Sequence, residues 1–353
     1  MHKLILKTLL LLLIVIAINQ LIFSFIKVPF SWGSYFEKEY CLEKNASQYN
    51  TVLFGSSRVH RQINSMLFDS LNSIAGDTTT SINFGNDAMT MPEVYFQFEN
   101  VLRIPNLKPR YIIVELCDVD TFASVNLHTT RKKYYYSAGA WWNSVGMLCC
   151  SDYSLSRQLS GCFSHCINFM ETLLKYNFLS EMAKFSQNEK TATYPCNPFY
   201  SPLDNDDTAQ IFFSGKICVN PHIAFLKHPQ QLEELKKKSE LLFEKYASDE
   251  SKSTPNKFYL DLVERMLKKG REKSIKIIFF LPPKLEEIHY KNVLPVFNAI
   301  PTENKIDLAN PAKHEKFYKL EYAFDLGHVN KNGATLLTEK LSEEFIKLSE
   351  VKK

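Results

Sequence analysis

The stretch 51-TVLFGSSRVH-60 decides how this chain is read. Thr51–Phe54 is an apolar run of strand length that stops at Gly55. Glycine lacks the Cβ that would clash in a sharp turn. Two serines follow directly. A hydroxyl held just past such a turn sits at the lip of a sheet, where a ligand can reach it. The same letters also describe an ordinary strand-to-helix connection in which Ser56 or Ser57 caps the helix. The two readings separate on whether the chain also supplies a base and a place to hold a negative charge.

Outward from this stretch, short apolar runs alternate with helical spacing. "INSMLFDSLNSI" (63–74) places Ile63, Met66, Leu67 and Leu71 at helical intervals. "SINFG" (81–85) reads as a second strand, and "PEVYFQFENVLR" (92–103) opens with a proline suited to a first helical turn. "RYIIVELC" (110–117) is a third strand, apolar through its centre, as a strand covered on both faces should be. The alternation breaks over 121–252, a segment of aromatics, cysteines, polar loops and one charged helix near residue 240. It resumes with helix "NKFYLDLVERMLKKG", strand "IKIIFFLPP", a helix around Leu294, a strand at Lys305–Leu308 and helix "GATLLTEKLSEEFIKL". This order predicts an α/β fold, a three-layer doubly wound parallel sheet of flavodoxin-like type, split by a large insertion. The predicted division is an anchor at 1–27, a connector at 28–50, sheet-domain halves at 51–120 and 253–353, and an insertion at 121–252. Ligands of such sheets bind at the carboxyl ends of the strands, where "GSSR" lies.

Leu4–Ile26 is apolar apart from Lys7, Thr8, Asn19, Gln20 and Ser24. A membrane span needs about 20 such residues. A cleaved signal peptide would have a shorter apolar core and a small-residue cleavage site. The segment therefore reads as an uncleaved transmembrane helix and the bilayer as a partner. Lys3 and Lys7 favour a cytoplasmic N-terminus, which leaves the main domain periplasmic or extracellular.

The 353 residues carry 42 basic and 38 acidic side chains, a net charge of +4. That balance gives no clustered basic surface for nucleic acid. An apolar content of 45% supports a packed core. Eight cysteines suit an exported chain that oxidises some of them, but their connectivity is not readable from sequence. Cys162, His165 and Cys166 lack a second matching pair, so no metal is assigned. Asn45 starts an N-x-S glycosylation triplet. "RKKYYYSAGAWW" (131–142) mixes cations and aromatics, and fits sugar stacking, a bilayer interface or internal packing.

A serine hydroxyl needs a neighbouring base to become a nucleophile, and a carboxylate to orient that base. "FDLGHVNKNGA" supplies both, since one tight turn can place Asp325 beside His328. Glu286–His289 has the same spacing. Asp325–His328 is preferred for its place between the last strand and the last helix, and for the Gly327 step. His60 points along the opening helix and is a minor candidate. His222, His228 and His314 have no matching partner.

Three blocks together resemble the SGNH/GDSL hydrolase superfamily: "LFGSSRV", "INFGNDAMT" and "FDLGHVN". The resemblance implies Ser57 as nucleophile, with Ser56 where the family usually has aspartate, and His328 and Asp325 as its partners. It implies an oxyanion site at the backbone of Ser57 and of Gly85, Asn86 and Ala88. One block departs: "ELCDVD" has Val119 where the family's asparagine would donate. The chain is similar to a membrane-anchored, GSS-containing subset linked to acyl transfer on envelope polymers. The resemblance thus implies a serine esterase or O-acyltransferase acting on acetyl or other O-acyl esters of envelope or extracellular glycans. It implies no cofactor, and envelope-assembly proteins as partners. Arg58 is read either as a binder of anionic substrate or as half of an ion pair closing the turn. The alternative from another class is a non-catalytic envelope protein that binds glycan or a partner.

Overall fold

The computed structural model describes residues 2–24, 33–117, 131–151, 153–176, 254–284, 287–325 and 327–350. It adds short pieces at 127, 129, 178, 202, 211–213, 216–218 and 237. Val119, Asp118, Asp120 and the side chains of Glu286 and His289 lie outside the described residues, as do His222, His228 and most of the charged stretch near 240.

The central sheet has five parallel strands: β1 (Thr51–Phe54), β2 (Ser81–Asn83), β3 (Tyr111–Glu115), β6 (Lys276–Leu281) and β7 (Lys305–Asp307). Their order is β2-β1-β3-β6-β7. A separate antiparallel hairpin pairs β4 (Ile211–Phe213) with β5 (Lys216–Cys218). Val52 stands level with Ile82 on one side and Ile112 on the other, and Ile113 with Ile278. The sheet order is that of flavodoxin-like doubly wound folds, in which the chain reverses direction between the first and third strands. That reversal leaves a crevice at the carboxyl ends of β1 and β3, and Gly55 opens there.

The strands are apolar throughout because helices cover both faces. Val52, Leu53, Phe54, Ile112, Ile113 and Val114 are almost fully buried. Right-handed crossovers put the β1–β2 and β2–β3 helices on opposite faces. Helix α4 (Ser65–Ile74) packs with α11 (Lys331–Glu350), while α5 (Met91–Val101) packs with α9 (Lys257–Glu272), which also meets α10 (Glu287–Ala299). Ring contacts tie these layers to the sheet: Phe54 meets Phe98 of α5 with centroids at 6.4 Å, and Phe345 of α11 meets Tyr111 at 4.8 Å. Helix α11 also touches α3 (Ser57–Gln62). The Asn64 N–H donates to Thr338 Oγ1 at 3.0 Å, and Ser342 Oγ donates to Asn72 Oδ1 at 2.7 Å. The last helix is thereby fixed beside the first turn after β1, which brings sequence-distant loops together.

The chain divides into two compact units, 1–37 with 120–195 and 38–119 with 196–353. The described helices of 132–173, within the expected insertion at 121–252, group with the N-terminal helix. Within the connector lies α2 (Gly33–Lys44). The first unit holds α1 (His2–Ser24), α6 (Lys132–Tyr135), α7 (Ala138–Cys149) and α8 (Leu155–Leu173). Over His2–Ile22, α1 is long and apolar enough to cross a membrane, and its described side chains lie mostly exposed. At about 1.5 Å per residue its 23 residues span about 35 Å, against about 30 Å of hydrocarbon. Cys41 is disulfide-bonded, whereas Cys117, Cys149, Cys150, Cys162 and Cys166 are not in disulfides.

Candidate active site

The two readings of the opening serines both hold, on different residues. Ser56 is the N-cap of α3: its Oγ accepts from the Arg58 N–H at 3.3 Å. Ser56 is buried, and both its N–H and its hydroxyl donate to Glu115, at 2.7 and 2.9 Å. Ser57 is half-buried, and its Oγ lies 2.7 Å from His328 Nε2. The cap therefore turns one serine inward and leaves the next facing the histidine.

Gly55 is required by a close approach. A Cβ there would lie 2.3 Å from Val59 Cγ2 and 2.5 Å from Glu115 Oε2. Gly85 is constrained from the other side of Val59, where a Cβ would come within 2.5 Å of the His60 backbone nitrogen. Between these glycines, α3 is pressed against the ends of β1 and β2. Asn83 completes the clamp: its Nδ2 donates to the Val59 and Ile63 carbonyls at 2.7 and 2.8 Å, and its Oδ1 accepts from the Gly85 N–H.

His328 is held by its own loop. Its Nδ1 lies 2.9 and 3.0 Å from the two Asp325 carboxylate oxygens. Asp325 Oδ1 also accepts from the Gly327 N–H at 2.7 Å, while the Phe324 and Asp325 N–H groups donate to the His328 carbonyl. The contribution of Gly327 is thus its N–H, not left-handed backbone freedom. Asn330 closes the segment, with Oδ1 accepting from the Gly333 N–H at the start of α11 and Nδ2 donating to the Glu321 carbonyl. Burial pushes the Asp325 carboxyl up, but the His328 charge and the hydrogen bonds from His328 and Gly327 outweigh it and hold the group below the usual carboxylate range. An ionised carboxylate on Nδ1 keeps the proton there and leaves Nε2 to accept from the Ser57 hydroxyl. Both side chains stay about a quarter exposed, 24% for His328 and 27% for Asp325, so the site is open to a ligand.

The residues expected to line the oxyanion site are less uniform. The Gly85 N–H is spent on Asn83, and the Asn86 N–H donates to the Gly55 carbonyl at 3.0 Å. Asn86 is fully buried, with Nδ2 donating to the Phe84 carbonyl. Gly85 and Asn86 therefore build the turn, and their backbone donors do not serve a ligand. Ala88 takes a left-handed φ of 58° in the turn that follows. The Ser57 N–H meets no acceptor among the described residues.

Arg58 is the buried partner of Glu115, with Nε on Oε1 at 2.5 Å, and this corrects its reading as a substrate-binding cation. Burial raises the Glu115 carboxyl; the Arg58 charge and hydrogen bonds, with those from Ser56, more than reverse this and hold it low. His60 is likewise committed elsewhere: Nδ1 lies 3.2 Å from Asp87 Oδ1, and Arg61 donates to the same carboxylate. Burial holds the His60 pKa down, beyond what Asp87 restores. Asp87 is driven well below the carboxylate range, because bonds from His60 and Arg61 exceed its own burial penalty. His314 Nε2 lies 3.0 Å from the Asp307 carbonyl, away from any serine contact.

Glu115 and Lys38 were not anticipated. Lys38 is fully buried and donates to the Gly85 carbonyl. The signal for Glu115 was present: a carboxylate ending an apolar strand must find a cation or strong donors. Lys38 gave no such signal, since nothing in "SYFEKEYCLEK" separates one lysine from another. Among the described residues, no group of three or more His, Cys, Asp or Glu side chains is placed to hold a metal ion. His165 instead lies 2.5 Å from Tyr136 Oη. No protein-family model matches this chain, and no curated protein matches it either.

Proposed function

We propose that the chain is a membrane-anchored serine esterase or O-acyltransferase of the SGNH/GDSL type. The Ser57–His328–Asp325 hydrogen-bond chain carries this reading, since three residues spread over 271 positions meet at 2.7 to 3.0 Å in the order the chemistry needs. Ser57 Oγ attacks the ester carbonyl carbon while its proton passes to His328 Nε2. The carbonyl π electrons move to oxygen and are held by the Ser57 N–H. Collapse of the intermediate breaks the bond to the alcohol, which leaves with the proton from His328. Water or a second alcohol then attacks the acyl-serine and gives an acid or a new ester. Asp325 orients the imidazole and stabilises its cation.

An O-acyl, most plainly acetyl, ester of an envelope or extracellular glycan fits an anchored domain outside the cytoplasm. Lys3 and Lys7, which flank and enter the N-terminal end of the apolar segment, and the disulfide at Cys41 support that side. The second reading, a glycan- or partner-binding protein on the same scaffold, draws on the two turn donors at Gly85 and Asn86 that are already spent. One missing oxyanion donor typically lowers a rate by about a hundred- to a thousandfold.

The test is fluorophosphonate labelling of the full chain in detergent, beside turnover of p-nitrophenyl acetate. The wild type labels; Ser57→Ala does not, and Ser57→Ala and His328→Ala each lose at least roughly a thousandfold in turnover. A folded wild type that neither labels nor turns over supports the binding reading instead.

A further inference from the structure

Helix α8 has its polarity inside out. Its buried positions are Gly161, His165 and Asn168. Their polar partners sit in the same unit. His165 meets Tyr136 Oη, Asn168 Oδ1 accepts from Lys132 Nζ at 2.7 Å, and Lys132 also pairs with Glu171. The opposite face carries Leu155, Leu159, Phe163, Ile167, Met170 and Leu174, all exposed. These recur every three or four residues, so they form one stripe, interrupted near its start by Ser156. Over 19 residues at about 1.5 Å each, the stripe is about 28 Å long. A helix of a water-soluble unit buries such a face and exposes the polar one.

The place of α8 relative to α1 says what covers the stripe. Near the far end of α1, Asn19 Nδ2 donates to the Leu174 carbonyl at 3.2 Å and Gln20 Nε2 to the Leu173 carbonyl at 3.1 Å. These are carbonyls at the C-terminal end of α8, which have no partner within their own helix. The polar interruptions of the apolar segment thus serve as a joint. The rest of α1 is exposed almost along its whole length, so α8 does not run beside it as a second span. It departs from the level of residues 19–20, near the end of the hydrocarbon region that α1 would cross. Tyr176, exposed two residues past Leu174, is a residue type that favours this level.

We propose that α8 is an interfacial helix, its apolar stripe sunk in the lipid boundary on the side where α1 ends. The occupant of the stripe is the bilayer itself. The polar face of α8 is then turned toward α6 and α7 and carries the network of His165, Asn168 and Lys132. The arrangement is that of an in-plane amphipathic helix, whose binding scales with the apolar area it buries. This proposal rests on α1 being a membrane anchor and is independent of the chemistry at Ser57.

The test uses the full chain in nanodiscs of phosphatidylcholine and phosphatidylglycerol. The photoreactive residue p-benzoylphenylalanine replaces Phe163, Ile167, Ser164 or, as anchor reference, Leu11. After illumination, intact-mass spectrometry should show one added phospholipid at Leu11, Phe163 and Ile167, and a loss of at least tenfold in that adduct at Ser164. Lipid adducts at Leu11 but not at Phe163 and Ile167 overturn the proposal and leave the anchor standing. An adduct to a second copy of the chain at Phe163 also overturns it, since the stripe would then be a dimer face. Absence of lipid at Leu11 as well removes the anchor and the proposal together.

Discussion

Replacing Glu115 by glutamine should destabilise the sheet unit more than any surface change, although the two side chains have the same shape. Every oxygen of this carboxylate is in use as an acceptor. Oε2 takes the Ser56 N–H at 2.7 Å and the Ser56 hydroxyl at 2.9 Å; Oε1 takes Arg58 Nε at 2.5 Å. An amide can offer only one acceptor oxygen, and its NH2 must then face either the Ser56 N–H or the Arg58 guanidinium. The side chain is fully buried, so no water relieves the clash. It also leaves Arg58, 7% exposed, beside a neutral group. Removing one partner of a buried pair typically costs about 3–5 kcal/mol, and hydrogen bonds to charged groups contribute about 1.5–3 kcal/mol each. The expected loss for Glu115→Gln is therefore about 3–5 kcal/mol, or a Tm lower by roughly 6–20 °C for a unit of this size. The assay is urea and thermal unfolding of the full chain in detergent, with fluorophosphonate labelling of Ser57 beside it. Labelling should slow in the folded variant, because Ser56 positions the turn that aims Ser57. The double variant Arg58→Met with Glu115→Met should recover part of the stability, since no unpaired charge remains. A Glu115→Gln protein within 1 kcal/mol of wild type, or a double variant worse than the sum of the single ones, refutes this reasoning.

Three other outcomes follow from the same geometry. Asp325→Asn should keep the fold but lower ester turnover by roughly a thousandfold or more, with KM nearly unchanged, because the imidazole loses its fixed tautomer; steady-state kinetics checks it. Gly85→Ala should cost about 1–3 kcal/mol and reduce labelling, since the new methyl meets the His60 backbone nitrogen and no rotamer can move it; urea midpoints measure this. Acid should destabilise the sheet unit in two stages. His60 has a lowered folded pKa, so stability begins to fall below about pH 6.5, where the unfolded histidine takes a proton that the folded one refuses. Glu115, Asp87 and Asp325 are also depressed on folding, so their contribution is full above about pH 4 and is lost as pH falls further. Urea midpoints from pH 8 to 3 that stay flat below pH 6.5 would contradict this.

The parts of this protein that were legible in sequence are those set by local rules. Strand runs such as "YIIVE" and "IIFFL" needed no partner to be recognised, because only burial on both faces tolerates them. Asp325 and His328 were legible together because their contact is made within one turn. The turn after Gly55 was legible, but it offered two serines alike, and only the resemblance to SGNH/GDSL hydrolases singled out Ser57. What failed was whatever depended on where a group's second partner came from. The ion-pair alternative for Arg58 could be written down, but its partner could not, because the carboxylate that neutralises it lies 57 positions away, inside a strand. The resemblance implied Gly85 and Asn86 as oxyanion donors, but their acceptors, Asn83 Oδ1 and the Gly55 carbonyl, are fixed only once β1 and β2 pair. The same logic explains α8. Its pattern shows amphipathicity but not which face is inside, and hydrophobicity alone assigns the apolar one. Only the contacts of His165 and Asn168 reverse that assignment, and they require α6 to be in place. Polar groups with a partner far along the chain therefore decided the details here, and the backing of the Ser56–Ser57 turn, Glu115 with Arg58, is the clearest case. The hydroxyl that faces His328 is aimed by a buried charge pair that never touches it.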